Sequence, residues 1–258
     1  MDLRPLGTTG IRVSPIGLGT VKLGRDAGVK YPRAVVIPDD DAAARLLDTA
    51  RGCGINLIDT APAYGASEER LGNLLRRSRD RWVIVTKAGE EFEDGVSRFD
   101  FSARAVRASV ERSLVRLRTD RVEVVLVHSD GYAEVDLEAR GTLGALRALK
   151  GEGKVRAFGV STKTPEGGRL AVAAGDCVMV TLNPASTADL PVIEAAQRAG
   201  VGVLVKKALA SGHLAGVTVE DCLRLALCTP GVTSVILGTT DPEHLRENCR
   251  MADSILAG

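Results

Sequence analysis

Eight short apolar runs, each stopped by a polar residue or a glycine and mostly followed by a helix-like stretch, limit what this chain can fold into. They cover residues 16–20, 55–59, 82–87, 122–128, 155–160, 178–182, 202–205 and 234–237. Runs of this length suit strands covered on both faces, and their alternation with helices implies a parallel sheet. Eight such units are the number that closes a (β/α)8 barrel. A doubly wound open sheet is the competing arrangement. It calls for a Gly-x-Gly-x-x-Gly turn after a strand, and Ile16-Gly-Leu-Gly-Thr20 supplies only the opening of one. The expected fold is therefore an α/β TIM barrel. With no composition shift or low-complexity linker, residues 1–258 read as one domain, a usual length for such a barrel.

Ahead of the first run, Gly7-Thr-Thr-Gly10 joins two short stretches between residues 3 and 13, which predicts an N-terminal β-hairpin outside the repeat. Asp39-Asp-Asp41 predicts a helix start, with the helix running to about Arg51. Further helices are expected from Ser67, acting as a cap, to about Arg77, from Ser102, over residues 137–150, and from Pro242. Residues 89–100 read as a long polar loop. Trp82 opens a strand and is expected in the core.

The second run ends at Asp59, with Tyr64 in the turn beyond it; the third ends at Lys87 and the fourth at His128. Barrel enzymes build their sites at the carboxyl ends of strands. Singly, each of these residues has a plain structural explanation as a cap, a solvated amine or a packed ring. Together at neighbouring strand ends they form a chemical set. A lysine ammonium favours phenolate, a carboxylate keeps that lysine charged in a dry pocket, and a neutral histidine can donate to a carbonyl oxygen. The expected product is a tyrosine poised to protonate an oxygen while another group delivers hydride.

From Leu6 to about Arg250 the chain resembles the aldo-keto reductases. The resemblance rests on Ile16-Gly-Leu-Gly-Thr-Val21, Asn56-Leu-Ile-Asp-Thr-Ala-Pro-Ala-Tyr-Gly65, Val85-Thr-Lys87, Leu126-Val-His128, Phe158-Gly-Val-Ser161 and Pro242-Glu-His-Leu-Arg-Glu-Asn248. It implies a nicotinamide cofactor and reduction of small aldehydes or ketones. In those roles Tyr64 is the acid, Lys87 and Asp59 its tuning pair, and His128 the carbonyl orienter. It implies cofactor contacts from Gly19, Thr20, Val21 and Asp59, and from Ser161 at the carboxamide. Thr162 stands where asparagine is common, Met179 where glutamine is frequent, Lys206 where many members stack a tyrosine on the nicotinamide, and Lys207 where serine is frequent. Leu209 and Ser211 are expected to join the same cradle. Gly238, Thr239 and Thr240 form an expected anion site at a helix start, with Glu247 and Asn248 at the adenine. Gly238 and His244 replace the lysine and arginine that clamp a 2′-phosphate in NADPH-preferring members. NADPH is the expected cofactor, with NADH the second outcome. Two other readings stay open: a cofactor-holding sensor or regulatory subunit with little turnover, and a Schiff-base lyase using Lys87.

A formal net charge of +1 argues against nucleic acid or an anionic membrane as partner. Five scattered cysteines without a Cys-x-x-Cys pair read as free thiols. The start lacks an apolar signal region and no run nears the ~20 residues that span a membrane, so a cytoplasmic protein is expected. Few aromatics (3%) argue against a large aromatic substrate cage, and the short tail predicts an open mouth shaped by residues 21–38 and 89–100.

Overall fold

In the computed structural model, which describes every residue except 33 and 215, the eight runs lie side by side in chain order. They are β3 (Ile16–Gly19), β4 (Leu57–Asp59), β5 (Val83–Ala88), β8 (Val122–His128), β9 (Val155–Ser161), β10 (Cys177–Thr181), β11 (Gly202–Lys206) and β12 (Ser234–Leu237). Every pairing is parallel, and β12 returns to β3 through Val235 opposite Ile16, closing the barrel. Of segment 21–38, residue 33 lies outside the described residues.

Successive side chains on a strand point to opposite faces, and this parity splits the core in two. One set faces the helices and forms the larger apolar cluster, with Ile58, Ile84, Val125, Val127, Val178 and Val203 among its members. The other set fills the barrel: Leu57, Val85, Val124, Leu126, Ala157, Cys177, Met179 and Leu204. The expected hairpin is present as β1 (Arg4–Pro5) against β2 (Arg12–Val13). It plugs the amino end of the barrel, because Leu6, Ile11 and Val13 belong to the interior cluster. Gly202 is required by that plug, since a Cβ there would stand 2.4 Å from Leu6 Cδ1. Trp82 is buried in the outer cluster, as expected.

The helices are α1 (Asp40–Gly52), α2 (Ser67–Leu74), α3 (Ala103–Arg116), α4 (Thr142–Gly151), α5 (Pro165–Ala174), α6 (Leu190–Ala199), α7 (Val219–Cys228) and α8 (Pro242–Ala257). Asp39 caps α1 and Ser102 caps α3 through their side chains. Three expectations change. Helix α2 stops at Leu74 and its N-cap is Ala66; the Ser67 hydroxyl instead donates to Thr20 Oγ1 (2.8 Å), tying the helix to the barrel rim. Helix α4 begins only at Thr142, after a single 3-10 turn at Ala133–Asp136. Residues 89–100 are not a loop: β6 (Glu90–Glu93) and β7 (Val96–Phe99) form a second hairpin standing on the carboxyl end of the barrel. Its turn residues Asp94 (φ 51°) and Gly95 (φ 80°) both have positive φ, which a type I′ turn demands. No helix of the described residues is long and apolar enough to cross a membrane.

Candidate active site

The parity that fills the barrel also delivers the site. Asp59 follows Leu57 by two positions, Lys87 follows Val85, His128 follows Leu126, and Lys206 follows Leu204, so each polar side chain is the last inward-facing residue of its strand. Ladder register sets His128 opposite Ser161, Ser161 opposite Met179, and Thr181 opposite Lys206. Together they cap the apolar filling and form the floor of a cavity of about 640 Å³ at the carboxyl mouth.

The end of β4 is held from both sides. Thr20 donates to the Asp59 carbonyl from both its amide and its hydroxyl, each at 2.9 Å, and the Thr60 amide donates to Val85 O (2.8 Å). Tyr64 ends a 3-10 turn at Pro62–Tyr64 that leans over this rim. Gly65 lets the chain leave that turn: its φ is +58°, and a Cβ there would stand 2.1 Å from Gly24 O.

Lys87 is 1% exposed, and its ammonium spends all three donors: on Asp59 Oδ1 (2.6 Å), on Thr60 O (2.9 Å) and on the Tyr64 hydroxyl oxygen (3.1 Å). Burial pulls its pKa down, but Asp59 and Tyr64 outweigh burial and raise it, so the amine stays charged. Since the phenol oxygen accepts from Lys87, its own O–H is free to donate into the cavity. The expectation that Lys87 brings this phenol below its ordinary value is not met. Burial pushes the Tyr64 pKa up to about 12, Lys87 draws it partly back, and Asp59 adds to the rise. Tyr64 is therefore a neutral donor whose phenolate, once formed, has a cation waiting beside it.

His128 stands edge-on to Tyr64, with ring centroids 6.0 Å apart. Glu90, at the foot of the second hairpin, places Oε2 at 2.7 Å from His128 Nδ1. This is a charge contact rather than an aligned hydrogen bond, since Nδ1 has no partner of good directional geometry. Ser97 donates to Glu90 Oε1 (2.6 Å), and Arg25 lies 4.0 Å from the same oxygen. Arg25 is itself fixed by Ala63 O (3.0 Å) and by stacking on Phe92. Burial works to raise the Glu90 pKa, but the hydrogen bond and charge of His128, then Ser97 and Arg25, hold it down to about 2. Glu90 and Arg25 were not foreseen from the sequence. The Asp94-Gly95 turn between Glu90-Glu-Phe-Glu93 and Val96-Ser-Arg-Phe99 was the signal that could have found the hairpin carrying Glu90.

Of the cofactor positions expected from the sequence, Gly19, Thr20, Val21, Asp59, Ser161, Met179, Lys206, Lys207, Leu209, Ser211 and Gly238 line this one cavity. Thr162 is buried behind it, its amide on Met179 O (3.0 Å). Thr239, Thr240, His244, Glu247 and Asn248 are not on its wall. They lie before and within the first turns of α8, where Thr239 Oγ1 accepts from the Asp241 amide (3.0 Å) and Asp241 caps Glu243. Lys206 turns inward, donating to Ser161 Oγ (2.8 Å) and Thr162 O (2.6 Å). Burial, then the charges of Lys207 and Lys87, lower its pKa to about 7.

The wall is strongly cationic. Besides Lys87 it carries Lys22, Arg25, Lys30, Lys163, Lys206 and Lys207 against the acids Asp59 and Glu90. Burial lowers Lys207, and the charges of Lys30 and Lys163 lower it further, a crowding that a bound anion would relieve. These residues fit a ligand carrying phosphates.

Fold and site together define a (β/α)8 barrel with a buried lysine–carboxylate pair under a tyrosine and a carboxylate-backed histidine at its mouth. The chain belongs to the aldo/keto reductase family, whose family model matches residues 15–221. It is 55% identical, with a TM-score of 0.90, to a Pseudomonas aeruginosa structure assigned to the aldo-keto reductases, covering 98% of this chain and 95% of that one. A Bacillus halodurans aldo-keto reductase in its holo form is 25% identical with a TM-score of 0.82, covering 98% of this chain and 91% of that one. Among curated relatives, L-galactose dehydrogenase of Arabidopsis thaliana is 37% identical over 62% of this chain, a match that spans 48% of that protein. D-threo-aldose 1-dehydrogenase of a Pseudomonas species is 28% identical over 80% of this chain and 69% of the relative.

Proposed function

We propose that this protein is an NAD(P)H-dependent oxidoreductase that reduces small aldehydes or ketones to alcohols. The observation that supports it above the others is Lys87, fully buried, 2.6 Å from Asp59 and 3.1 Å from the Tyr64 hydroxyl. A carbonyl oxygen resting against Tyr64 meets a free O–H. As negative charge develops on that oxygen, Tyr64 transfers its proton and Lys87 stabilises the phenolate left behind. Asp59 keeps Lys87 charged at every stage, and His128 completes the polar wall on the carbonyl side.

Aldo-keto reductases use nicotinamide cofactors, and such a group, when bound, supplies the hydride. Ser161, Met179 and Lys206 would hold its nicotinamide end, with Lys207, Leu209 and Ser211 at the phosphates. Gly238, Thr239, Thr240, His244, Glu247 and Asn248 would serve its far end. NADPH is favoured by the cationic wall and NADH by the missing arginine clamp. Relatives fall on both sides, an Escherichia coli one being named NADH-specific methylglyoxal reductase and a Phanerodontia chrysosporium one aryl-alcohol dehydrogenase [NADP(+)]. Parallel titrations with both cofactors, followed by a carbonyl panel read by loss of reduced-nicotinamide absorbance, decide the preference.

The mechanism is tested by Tyr64→Phe. Turnover should fall by roughly 10²–10⁴-fold, the span of a general acid, while cofactor affinity stays near that of the wild type. Retained turnover would sink it. The inward Lys206, occupying Ser161, motivates the second reading of a cofactor-holding sensor, for which tight binding without oxidation across the panel is the signature. Lys87 is a poor Schiff-base nucleophile, because its raised pKa keeps it protonated.

A further inference from the structure

His128 and its carboxylate carry more than an orienting role. Glu90 remains ionised and so offers only acceptor oxygens, one of them 2.7 Å from His128 Nδ1. Two bare lone pairs at that distance repel, so the imidazole proton belongs on Nδ1. Nε2 has no protein partner among the described residues, and His128 borders the cavity. A neutral imidazole with its proton on Nδ1 presents Nε2 as an acceptor. It therefore cannot donate to a carbonyl oxygen, which has no hydrogen to offer in return. It can receive a hydroxyl.

We propose that Glu90 fixes the proton of His128 on Nδ1, so that Nε2 meets the substrate as an acceptor and selects carbonyl compounds bearing a hydroxyl beside the carbonyl. Tyr64 then holds the carbonyl oxygen and His128 the neighbouring hydroxyl, giving a two-point fit to 2-hydroxyaldehydes, 2-hydroxyketones and aldoses. Glu90 is a positioning residue, held in turn by Ser97 and Arg25. The charged or titratable groups around His128 are Glu90 on the hairpin, Lys87 on β5, Lys206 on β11 and Tyr64 in its turn. Burial holds His128 below its ordinary pKa, Glu90 opposes that fall, and the two lysines add to it. The neutral acceptor form thus prevails at neutral pH. The selectivity should be full above the His128 pKa and fade as pH falls through it, where the imidazolium can only donate.

This selectivity rests on the reductase reading above, but the proton position does not, and the two are tested separately. The chain has three histidines, so ¹⁵N-edited spectra of the whole protein can resolve the tautomer of each. His128 should show Nδ1–H with bare Nε2 near neutral pH, and an Nε2–H tautomer would overturn the proposal without any variant. In kinetics, glycolaldehyde should exceed acetaldehyde, and glyceraldehyde propanal, in kcat/KM by about 10–10²-fold, the effect of leaving a polar site group unpaired. In Glu90→Gln the carboxamide can donate to Nδ1 and drive the proton to Nε2. The ratio should then collapse toward unity and lose its pH dependence, while the plain aldehydes keep their rates or improve. A ratio near unity in the wild type, or one unchanged in Glu90→Gln, refutes the selection. A silent panel with the Nδ1–H spectrum intact would strike the reductase reading and leave the proton assignment standing.

Discussion

Asp59 and Lys87 stay charged in a dry pocket only as a pair, and the pair has consequences for stability as well as for chemistry. Removing one partner leaves the other as an uncompensated buried charge. Lys87→Met should therefore cost about 3–5 kcal/mol, read as a lowered urea midpoint at unchanged slope, in addition to its loss of turnover. Lys206 presents the opposite case. Its ammonium touches only the neutral oxygens of Ser161 and Thr162, with no carboxylate in contact among the described residues, and its pKa falls to about 7 through burial and then the charges of Lys207 and Lys87. An unfolded lysine keeps its proton to about pH 10.4. Between these values the unfolded chain binds one more proton than the folded one, so this group makes stability rise with pH across that window. Relative to Lys206→Met, the wild type should gain melting temperature from about pH 7 to pH 10. Parallel melting curves for the two proteins across that range would refute the assignment.

At the scale of elements, the eight strands and the parity within them were legible, and with parity came Asp59, Lys87 and His128, because a polar residue two positions beyond an inward apolar one must cap the barrel filling. What escaped the sequence was whatever depends on contact between distant segments. Ser67 looks like a cap beside Glu68 and Glu69, yet Thr20 claims its hydroxyl from across the rim. Glu90 reads as one acid in a polar stretch until the barrel brings His128 beside it. The hairpin itself left a local sign in Asp94-Gly95, masked by strand residues that alternate poorly between apolar and polar. That turn is a sensitive point, since Gly95 holds φ 80° with nothing near its missing Cβ. Gly95→Val meets backbone strain rather than a clash, about 1–2 kcal/mol for a left-handed residue. Amide exchange should quicken over residues 90–99 and stay unchanged in the barrel strands. Uniform quickening would mean that the hairpin and the barrel open as one unit.

For the whole molecule, the two ends of the barrel are built for opposite tasks. The carboxyl end carries charges, a cavity and glycine-bearing turns; the amino end is sealed by a hairpin whose Leu6, Ile11 and Val13 complete the interior packing. A cavity at the mouth can hold buried charge because the floor beneath it, from Met179 and Leu126 down to Leu6, is continuous apolar packing that admits no water from below. Stability and chemistry should then separate by end. Leu6 is fully buried and packs against the backbone at Gly202. Leu6→Ala should cost about 2–5 kcal/mol for lost burial and the void it leaves. The pair at Asp59 and Lys87 lies several layers above and shares no partner with Leu6, so the two effects should be independent. Denaturant midpoints should fall in Leu6→Ala while kcat, measured well below the transition, stays at the wild-type level. A kcat that fell in step with stability would show that the seal at the amino end reaches the site, and that the barrel interior transmits strain from one layer to the next.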